Sequence, residues 1–192
     1  EIQKDFSSWN FYKQNKQIRI HSSYMNSTTI AANSNYTKEL LIESLSIDKN
    51  KIKVIHPGID VYDKFIQKST SVKVKNIIGT SNPVIITLAR LEARKGHNIV
   101  LDALSALKNK YPKFLYLIAG DGPNKLEIKN HVNKLNLQSN VLFLGWITEP
   151  EKSVLLRNSH LFVMAPHLDK ESVEGFGMVF IDAAFHGLAT LG

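Results

Sequence analysis

Short apolar runs alternate with segments of helical spacing from about residue 84 to the end of the sequence, and this alternation limits the possible folds more than any other feature. The apolar runs are Val84–Leu88, Leu115–Ala119, Val141–Leu144, Leu161–Ala165 and Leu188–Leu191. The segments between them have apolar residues at helical spacing and are His97–Asn109, Asn124–Asn136, Glu149–Asn158 and Phe176–His186. Strands spaced roughly 20 to 30 residues apart, with helices between them, predict βαβ units and therefore an α/β fold with a parallel sheet.

Residues 1–58 carry a shorter form of the same pattern. We expect a polar helix over residues 1–20, a strand at Thr28–Ala32, a helix at Tyr36–Leu45 and a strand at Lys51–Ile55. The run Asn33-Ser34-Asn35 offers side chains that cap the second helix. The first part of the chain is therefore predicted to contain its own strand–helix–strand unit.

The domain organisation follows from what lies between and at the ends of these patterns. Residues 59–83 contain few apolar residues, which predicts a connector with room for a short helix. The sequence begins within a helical pattern and ends on a strand with no closing helix. We therefore expect a Rossmann-like parallel sheet truncated at both ends: the tail of one domain at residues 1–58, the connector, and most of a second domain at residues 84–192.

Composition excludes several classes of protein. The chain has no cysteine, so it has neither disulfides nor thiolate metal sites. Its apolar runs are far too short to span a bilayer, and the first residues do not form a signal peptide, so a cytoplasmic chain is expected. The net charge of +7 comes from basic residues spread along the sequence, which favours a solvated lysine-rich surface over a nucleic-acid module. Attraction to nucleotide phosphates or anionic lipid stays open.

The most informative local motif is Glu174-Gly175-Phe176-Gly177, which precedes an apolar helix carrying Asp182. Glycines let a ligand approach the backbone closely, and a helix start offers free N–H groups to an anion. The two carboxylates can accept hydrogen bonds from hydroxyls on either side of a phosphate. Acids eight positions apart on a helix lie about 10 Å apart. This spacing suits the sugar and the ribose of a nucleotide diphosphate sugar.

Two cations follow the first strand of the second domain. Arg90 and Lys95 lie in the loop after Val84–Leu88. In a parallel sheet the ligand crevice lies at the carboxyl ends of the strands. Arginine as a planar fork and lysine as a point charge suit a diphosphate there. A basic loop in water explains the same residues equally well at this point.

Two further positions lie at the carboxyl ends of strands. Gly120 follows the second strand, where a glycine either lets a ligand approach or permits a tight turn, and Asp121 beside it is a candidate helix cap. Ile147 follows the third strand and could offer its backbone to a nucleotide base. Its neighbour Trp146 is interpreted as a surface or domain-packing aromatic.

The sequence predicts no metal site and no cofactor. None of the seven histidines has the spacing of a metal-binding pair on a helix. The chain also lacks an Asp-x-Asp pair that would hold a divalent ion on a diphosphate. Charge on leaving phosphates would therefore fall to Arg90, Lys95 and a helix start.

Five motifs in order carry a resemblance to a known family. They are Val54-Ile55-His56-Pro57-Gly58-Ile59-Asp60, Leu88-Ala89-Arg90-Leu91 with Lys95-Gly96, Ala119-Gly120-Asp121-Gly122-Pro123, Val141-Leu142-Phe143-Leu144-Gly145 and Glu174-Gly175-Phe176-Gly177. The chain resembles the retaining glycosyltransferases of family 4, which have the GT-B fold, over nearly all of residues 28–192. Each motif is weak alone, but five in sequence are specific. The resemblance implies that residues 1–58 are the remnant of the acceptor-side domain and residues 84–192 an incomplete nucleotide-sugar-binding domain.

The resemblance also assigns roles. Arg90 and Lys95 hold the donor diphosphate, and Glu174 contacts the donor sugar near the reacting centre, so these three are the candidate catalytic residues. The backbone of Gly175, Phe176 and Gly177 contacts sugar and phosphate. The second acid of the motif binds the ribose hydroxyls, and here it is Asp182, which is one methylene shorter than the glutamate typical of the family.

The implied reaction is metal-independent transfer of a sugar, with its anomeric configuration kept, to a hydroxyl of a glycan or a lipid-linked acceptor. The run Lys170–Gly177 resembles that of members that use GDP-mannose, while UDP-hexose donors stay open. Peripheral association with a membrane is compatible with the basic surface. Three alternatives stay open: a GT-B type nucleotide-sugar epimerase, a phosphorylase on the same scaffold, and a non-catalytic module that binds a sugar nucleotide or nucleic acid.

Overall fold

The computed structural model describes residue 19 and residues 21–59, 68–167 and 174–192. The chain divides into two compact units, Glu1–Gly58 and Ile59–Gly192. The polar helix predicted over residues 1–20 lies outside the described residues except for residue 19. Asp60 of the first motif and the segment 168–173 before Glu174 also lie outside them, so the predictions made there are untested.

The first unit has two short parallel strands joined by a helix. Its elements are helix α1 (21–26), strand β1 (Ile30–Ala32), helix α2 (Asn35–Leu45) and strand β2 (Ile52–Val54). Ile30 pairs with Ile52 in the parallel register. The hydroxyl of Ser34 accepts a hydrogen bond of 3.0 Å from the backbone N–H of Thr37, so α2 begins at one of the predicted capping residues. A small core of Ile30, Ala32, Leu41, Ile47 and Ile52 closes the unit.

The second unit is a five-stranded parallel sheet covered by helices. Its elements are α3 (Lys68–Ile78), β3 (Val84–Leu88), α4 (His97–Leu107), β4 (Leu115–Ala119), α5 (Lys125–Lys134), β5 (Val141–Gly145), α6 (Glu149–Arg157), β6 (Leu161–Val163), α7 (Met178–Phe185) and β7 (Ala189–Leu191). Every strand pair in this sheet is parallel. The α/β fold with a parallel sheet is therefore confirmed. Within the described parts of the chain, no helix is both long and apolar enough to cross a membrane.

The continuous apolar runs are explained by burial on both faces of the sheet. Every residue of β3 and of β4 is buried, as expected for central parallel strands that helices cover on both sides. One polar side chain interrupts β3, because Thr87 is fully buried. Its hydroxyl donates to the carbonyl of Val163 in β6 and lies 2.7 Å from the hydroxyl of Tyr116 in β4. The three central strands are thus also tied together by buried side-chain hydrogen bonds.

The strand order places a switch point between two of the strands. The order is β5-β4-β3-β6-β7, so the chain runs outward from β3 to β5 and then returns to β6 on the other side of β3. Ligands in open α/β sheets bind outside the carboxyl ends of the strands where the order reverses in this way. The loops that follow β3 and β6 therefore frame the expected crevice, and these loops carry Lys95 and Glu174.

The range 59–83, predicted as a connector, contains helix α3. Val74 in this helix is buried, and Ile77 and Ile78 pack against the same core as α6. Lys73 also forms an ion pair of 2.6 Å with Glu151 of α6. In the structure α3 is thus packed as part of the second unit.

Candidate functional site

The loop after β3 is held against the end of β6 by a glycine. Gly96 ends a short 3-10 turn, Ala93–Lys95, and has a left-handed φ of 69°. A Cβ atom at this position would lie 1.9 Å from the carbonyl oxygen of Ala165. Any side chain at Gly96 would therefore force the loop and the strand end apart. The backbone of Lys95, which directly precedes this contact, is therefore fixed at the switch point.

Glu174 is bound by two cations from this loop. The Nζ of Lys95 donates to Oε2 of Glu174, and Nη1 of Arg94 lies 3.4 Å from the same oxygen. The side chains of Lys95, Arg94 and Glu174 are only 11%, 17% and 27% exposed. Pairs shielded from water to this extent interact more strongly than the usual surface ion pair.

The ion pairs continue to the other predicted cation. Arg94 Nε lies 3.2 Å from Oε2 of Glu92, and Arg90 Nη1 lies 3.0 Å from Oε1 of Glu92. Arg90, Glu92, Arg94, Lys95 and Glu174 thus form one chain of alternating charges, which we call the Glu174 network. It contains three cations and two carboxylates, so it carries a positive surplus. Arg90 is its outer member, with a side chain 65% exposed.

The network keeps Glu174 ionised. Burial acts to raise the pKa of this carboxyl, but the hydrogen bond from Lys95 and the charges of Lys95 and Arg94 outweigh burial, and the pKa lies below its ordinary value. Glu174 is therefore a carboxylate at neutral pH. It can accept hydrogen bonds and stabilise positive charge, but it carries no proton to donate.

The second predicted acid has a different set of partners. Asp182 lies in α7 and is buried, with Oδ2 3.2 Å from Nζ of Lys152. The same Nζ lies 2.6 Å from Oε2 of Glu149. Burial acts to lower the pKa of Lys152. Its contacts with the two carboxylates raise the pKa by more than burial lowers it, so the pKa lies above its ordinary value. We call these three residues the Asp182 network. Its single cation faces two carboxylates, so its surplus is negative.

A cleft of about 270 Å³ lies between the ends of the strands and helices α6 and α7. Four predicted site residues line it: Arg90, Gly120, Ile147 and Asp182. Lys95 and Glu174 do not line this cleft and are connected to it through Arg90 and the Glu174 network. The remaining lining residues are Leu88, Ala89, Ala119, Trp146, Glu149, Lys152 and Val179. Trp146 is 77% exposed at the rim, in agreement with a surface aromatic.

The glycine at Gly120 is required by the packing of the chain itself. Its φ is 135°, and a Cβ atom there would lie 2.0 Å from the carbonyl oxygen of Ala89. The neighbouring Asp121 does not cap α5, because the N-cap of that helix is Asn124. Instead Asp121 accepts from the N–H of Gly122 and from Lys125. The tight approach of two loops explains Gly120 without a ligand.

The Glu174 motif is only partly helical. Helix α7 begins at Met178 after Gly177, which has a left-handed φ of 75°. Glu174 therefore precedes the helix. The expected separation of about 10 Å between the two acids assumed one continuous helix from Glu174 to Asp182, and this assumption was wrong. Gly175 and Phe176 lie in the turn between Glu174 and the helix. Asp182 alone of the two acids is held by helical backbone.

Sequence analysis missed three residues near these networks, of which Arg94 and Lys152 belong to them. Arg94 was hidden beside Lys95, where two adjacent cations indicate a solvated loop. Lys152 lies three positions after Glu149 in α6, and the sequence analysis did not use this helical spacing of opposite charges. His97 is buried at the start of α4, and neither ring nitrogen has a hydrogen-bond partner among the described residues. Burial, with a smaller contribution from Lys95, lowers its pKa to about 4, so the ring is neutral at neutral pH.

Within residues 21–59, 68–167 and 174–192, no three His, Asp or Glu side chains are grouped so that they could hold a metal ion. The predicted metal independence concerns the reaction, which this observation does not test. It stays a prediction, as does the expected lack of a cofactor.

The relatives found by comparison with known proteins include two that match at least four fifths of the chain. A mannosylfructose-phosphate synthase of Agrobacterium fabrum is 27% identical over 162 residues, which are 80% of this chain and 35% of that protein. The putative glycosyltransferase EpsF of Bacillus subtilis is 30% identical over 165 residues, which are 85% of this chain and 41% of that protein. The chain thus spans less than half the length of these relatives.

Solved structures and a family model complete the comparison. The crystal structure of Anabaena Alr3699/HepE in complex with UDP and glucose superposes with a TM-score of 0.76 at 22% identity, over 92% of this chain and 47% of that one. At this identity the likeness concerns the fold, and it confirms the Rossmann-like fold of GT-B type. Residues 68–192 match the model of the family described as glycosyl transferases group 1. The chain therefore belongs to the glycosyl transferases of group 1.

Proposed function

We propose that this protein is a retaining glycosyltransferase that moves a hexose from a nucleotide diphosphate sugar to a hydroxyl, without a metal ion. The observation that carries the proposal is the Glu174 network at the switch point. It joins both predicted phosphate-binding cations, Arg90 and Lys95, to the predicted sugar-binding acid. An incidental basic loop would not explain why Lys95 and Arg94 both contact Glu174, which lies about 80 positions further along the chain.

The surplus of positive charge in the Glu174 network suits the leaving nucleoside diphosphate. As the bond to the sugar breaks, negative charge grows on the leaving diphosphate. Arg90 and Lys95, together with the N–H groups at the start of α7, would stabilise that charge more in the transition state than in the ground state. The contact at Gly96 fixes the backbone next to Lys95, so the ammonium can reach the phosphate by rotation of its side chain alone.

Glu174 acts on the sugar as an anion in this proposal. Sugar transfer passes through a transition state with positive charge near the anomeric carbon. An ionised carboxylate stabilises that charge and accepts hydrogen bonds from sugar hydroxyls. Since its pKa lies below the ordinary value, Glu174 is not suited to donate a proton to the leaving group. The acceptor hydroxyl then attacks from the face of the leaving diphosphate as the bond from the anomeric carbon to the phosphate oxygen breaks. Its proton passes to that diphosphate, and attack on this face keeps the anomeric configuration.

Asp182 binds the ribose hydroxyls in this proposal. Its network has a surplus of carboxylates, which are acceptors for hydroxyl donors. Lys152 holds Oδ2, and Asp182 lines the adjacent cleft, where Ile147 would offer its backbone to the base. The shorter aspartate is thus fixed in one orientation by a lysine.

The donor is GDP-mannose or a UDP-hexose. The relative from Agrobacterium fabrum is named for a mannosyl product, and HepE was crystallised with UDP and glucose. For the acceptor we propose a hydroxyl of a glycan or of a lipid-linked glycan. Exposed lysines such as Lys49, Lys53 and Lys75 would support peripheral contact with an anionic membrane.

A thermal-shift screen of the full-length protein against UDP, GDP, ADP and their sugars tests the donor. We expect one nucleotide and its sugar to raise the melting temperature. Lys95→Ala and Arg90→Ala should then lower turnover by one to a few orders of magnitude. The melting temperature without ligand should stay close to that of the unmodified protein. Turnover at the unmodified rate in both variants would refute the phosphate assignment.

Product analysis separates transfer from the alternative reactions. A donor labelled at its anomeric carbon should yield a glycoside of unchanged configuration by NMR. Release of an epimerised nucleotide sugar instead would identify an epimerase. Binding of the nucleotide without any product in the presence of glycan and lipid-linked acceptors would favour a binding module.

A further inference from the structure

We propose that Arg94 is a positioning residue, which holds the carboxylate of Glu174 in place when Lys95 turns from that carboxylate to the diphosphate of the donor. This inference rests on the proposed function for the identity of the ligand. The contact that it assigns to Arg94, however, can be measured without any ligand.

The starting point is that two cations share one oxygen. Lys95 and Arg94 both approach Oε2 of Glu174 in the structure. A lysine ammonium is a point charge on a flexible stem, and it can be drawn to a phosphate by rotation about its side-chain bonds. When Lys95 does so, the partly buried carboxylate loses its nearest partner. A buried carboxylate without a partner is unstable and would change its orientation or take up a proton.

Arg94 is built to stay when Lys95 leaves. Its guanidinium offers several N–H groups in a rigid plane, and it uses two of them in different directions. Nη1 reaches Glu174 at 3.4 Å, while Nε is held by Glu92 at 3.2 Å. Glu92 is in turn held by Arg90 at 3.0 Å. The side chain of Arg94 is thus anchored on a second carboxylate that does not belong to the sugar-binding motif.

The backbone of Arg94 is fixed as well. Its carbonyl accepts a hydrogen bond of 3.0 Å from the N–H of His167, which follows β6. Two residues further on, Gly96 packs against the carbonyl of Ala165. Arg94 is therefore tied at both its backbone and its side chain to the two loops that frame the switch point. Such a residue can keep a neighbouring carboxylate in one place while a flexible lysine changes partner.

The test follows the carboxyl group of Glu174 by carbon-13 NMR in the full-length protein, with Glu174→Gln used to assign its signal. In Lys95→Gln, which imitates the departure of the lysine, we expect the pKa of Glu174 to rise, because the strongest contact that opposes burial is lost. In the double variant with Arg94→Gln we expect the pKa to rise further, because burial then acts without either cation. Equal pKa values in the single and double variants would overturn the proposal.

Among the residues that the structure describes, the charged groups that contact Glu174 are Lys95 and Arg94, with Glu92 behind Arg94. His97 lies beside Lys95 and titrates in the same range, since its pKa is lowered to about 4. Its ring signals must therefore be followed in the same samples, so that its protonation is not taken for that of Glu174. Arg157→Gln, at the far end of α6, is the matched control and should leave the titration of Glu174 unchanged.

A kinetic experiment then connects the contact to the reaction. With the donor that the screen identifies, Arg94→Gln should lower kcat about tenfold with little change in KM, and Arg94→Lys should restore part of the loss. Unchanged kcat in Arg94→Gln would overturn the positioning role. If neither UDP nor GDP binds the unmodified protein, the proposed function fails, while the NMR titration still decides whether Arg94 holds Glu174.

Discussion

Glu174 and Asp182 lie on one short segment of the chain, yet their surroundings are opposite in charge. Glu174 is bound by two cations, and its network has more cations than carboxylates. Asp182 shares one lysine with Glu149, and its network has more carboxylates than cations. The comparison shows that the residues around two acids of one motif can give them surroundings of opposite net charge.

The difference matches the two parts of a nucleotide diphosphate sugar. Phosphates are anions and are attracted to a surplus of cations, whereas ribose hydroxyls donate hydrogen bonds to carboxylates. Replacing each acid by its amide should therefore have different consequences at the two networks. Glu43→Gln, an exposed glutamate of the first unit, serves as the control for both replacements.

The largest expected effect is on turnover in Glu174→Gln. The amide keeps the shape of the side chain but removes the negative charge that faces the sugar. We expect kcat to fall by about 10²–10³-fold, the range found when a single group that stabilises a transition state is removed. Steady-state kinetics with the identified donor measures this. A loss of less than threefold would mean that Glu174 does not face the reacting centre.

An intermediate effect is expected on nucleotide affinity in Asp182→Asn. Losing a hydrogen bond to a charged group costs about 1.5–3 kcal/mol, so the Kd of the nucleotide should rise at least about tenfold. Calorimetry with the nucleotide and its 2′-deoxy and 3′-deoxy forms sharpens the test. The unmodified protein should discriminate against at least one deoxy form, and Asp182→Asn should not. Equal discrimination by both proteins would separate Asp182 from the ribose.

The smallest expected effect is a gain in affinity for the nucleotide diphosphate in Glu174→Gln. Glu174→Gln removes a carboxylate that competes with the phosphates for Lys95, so the nucleotide diphosphate should bind about two- to fivefold more tightly, in keeping with less than 1 kcal/mol for a partly exposed ion pair. The nucleoside, which lacks phosphates, should bind with unchanged affinity. Weaker binding of the diphosphate would contradict the idea that the two carboxylates act oppositely.

Much of the fold could be predicted because its strands are buried on both faces. The runs Val84–Leu88 and Leu115–Ala119 are continuous apolar stretches, and the structure has strands with the same bounds. The ends of the helices were harder to predict from the sequence. The motif around Phe176 was expected to be helical, but Gly177 has a left-handed backbone that helix interiors do not accept, and α7 begins after it. The prediction followed apolar spacing and missed the conformation of one glycine.

The partners within the candidate site could be predicted only in part. Arg90 and Lys95 were singled out because they follow a strand, a rule that depends on position along the chain. The contacts of Arg94 with Glu174 and of Lys152 with Asp182 depend on how separate loops and helices meet, and no spacing in the sequence encodes them. The local pattern around Gly120 was ambiguous because the group that requires a glycine there, the carbonyl of Ala89, lies 31 positions earlier in the sequence.

The start of α7 lies between the two acids, so one of them belongs to a turn and the other to a rigid helix. A loop graft that exchanges residues 174–177 with those of another family member would leave the helix register of Asp182 intact. Under the proposed function, such a chimaera is expected to change its sugar preference and to keep its nucleotide. The boundary of one helix separates the acid proposed for the sugar from the acid proposed for the ribose.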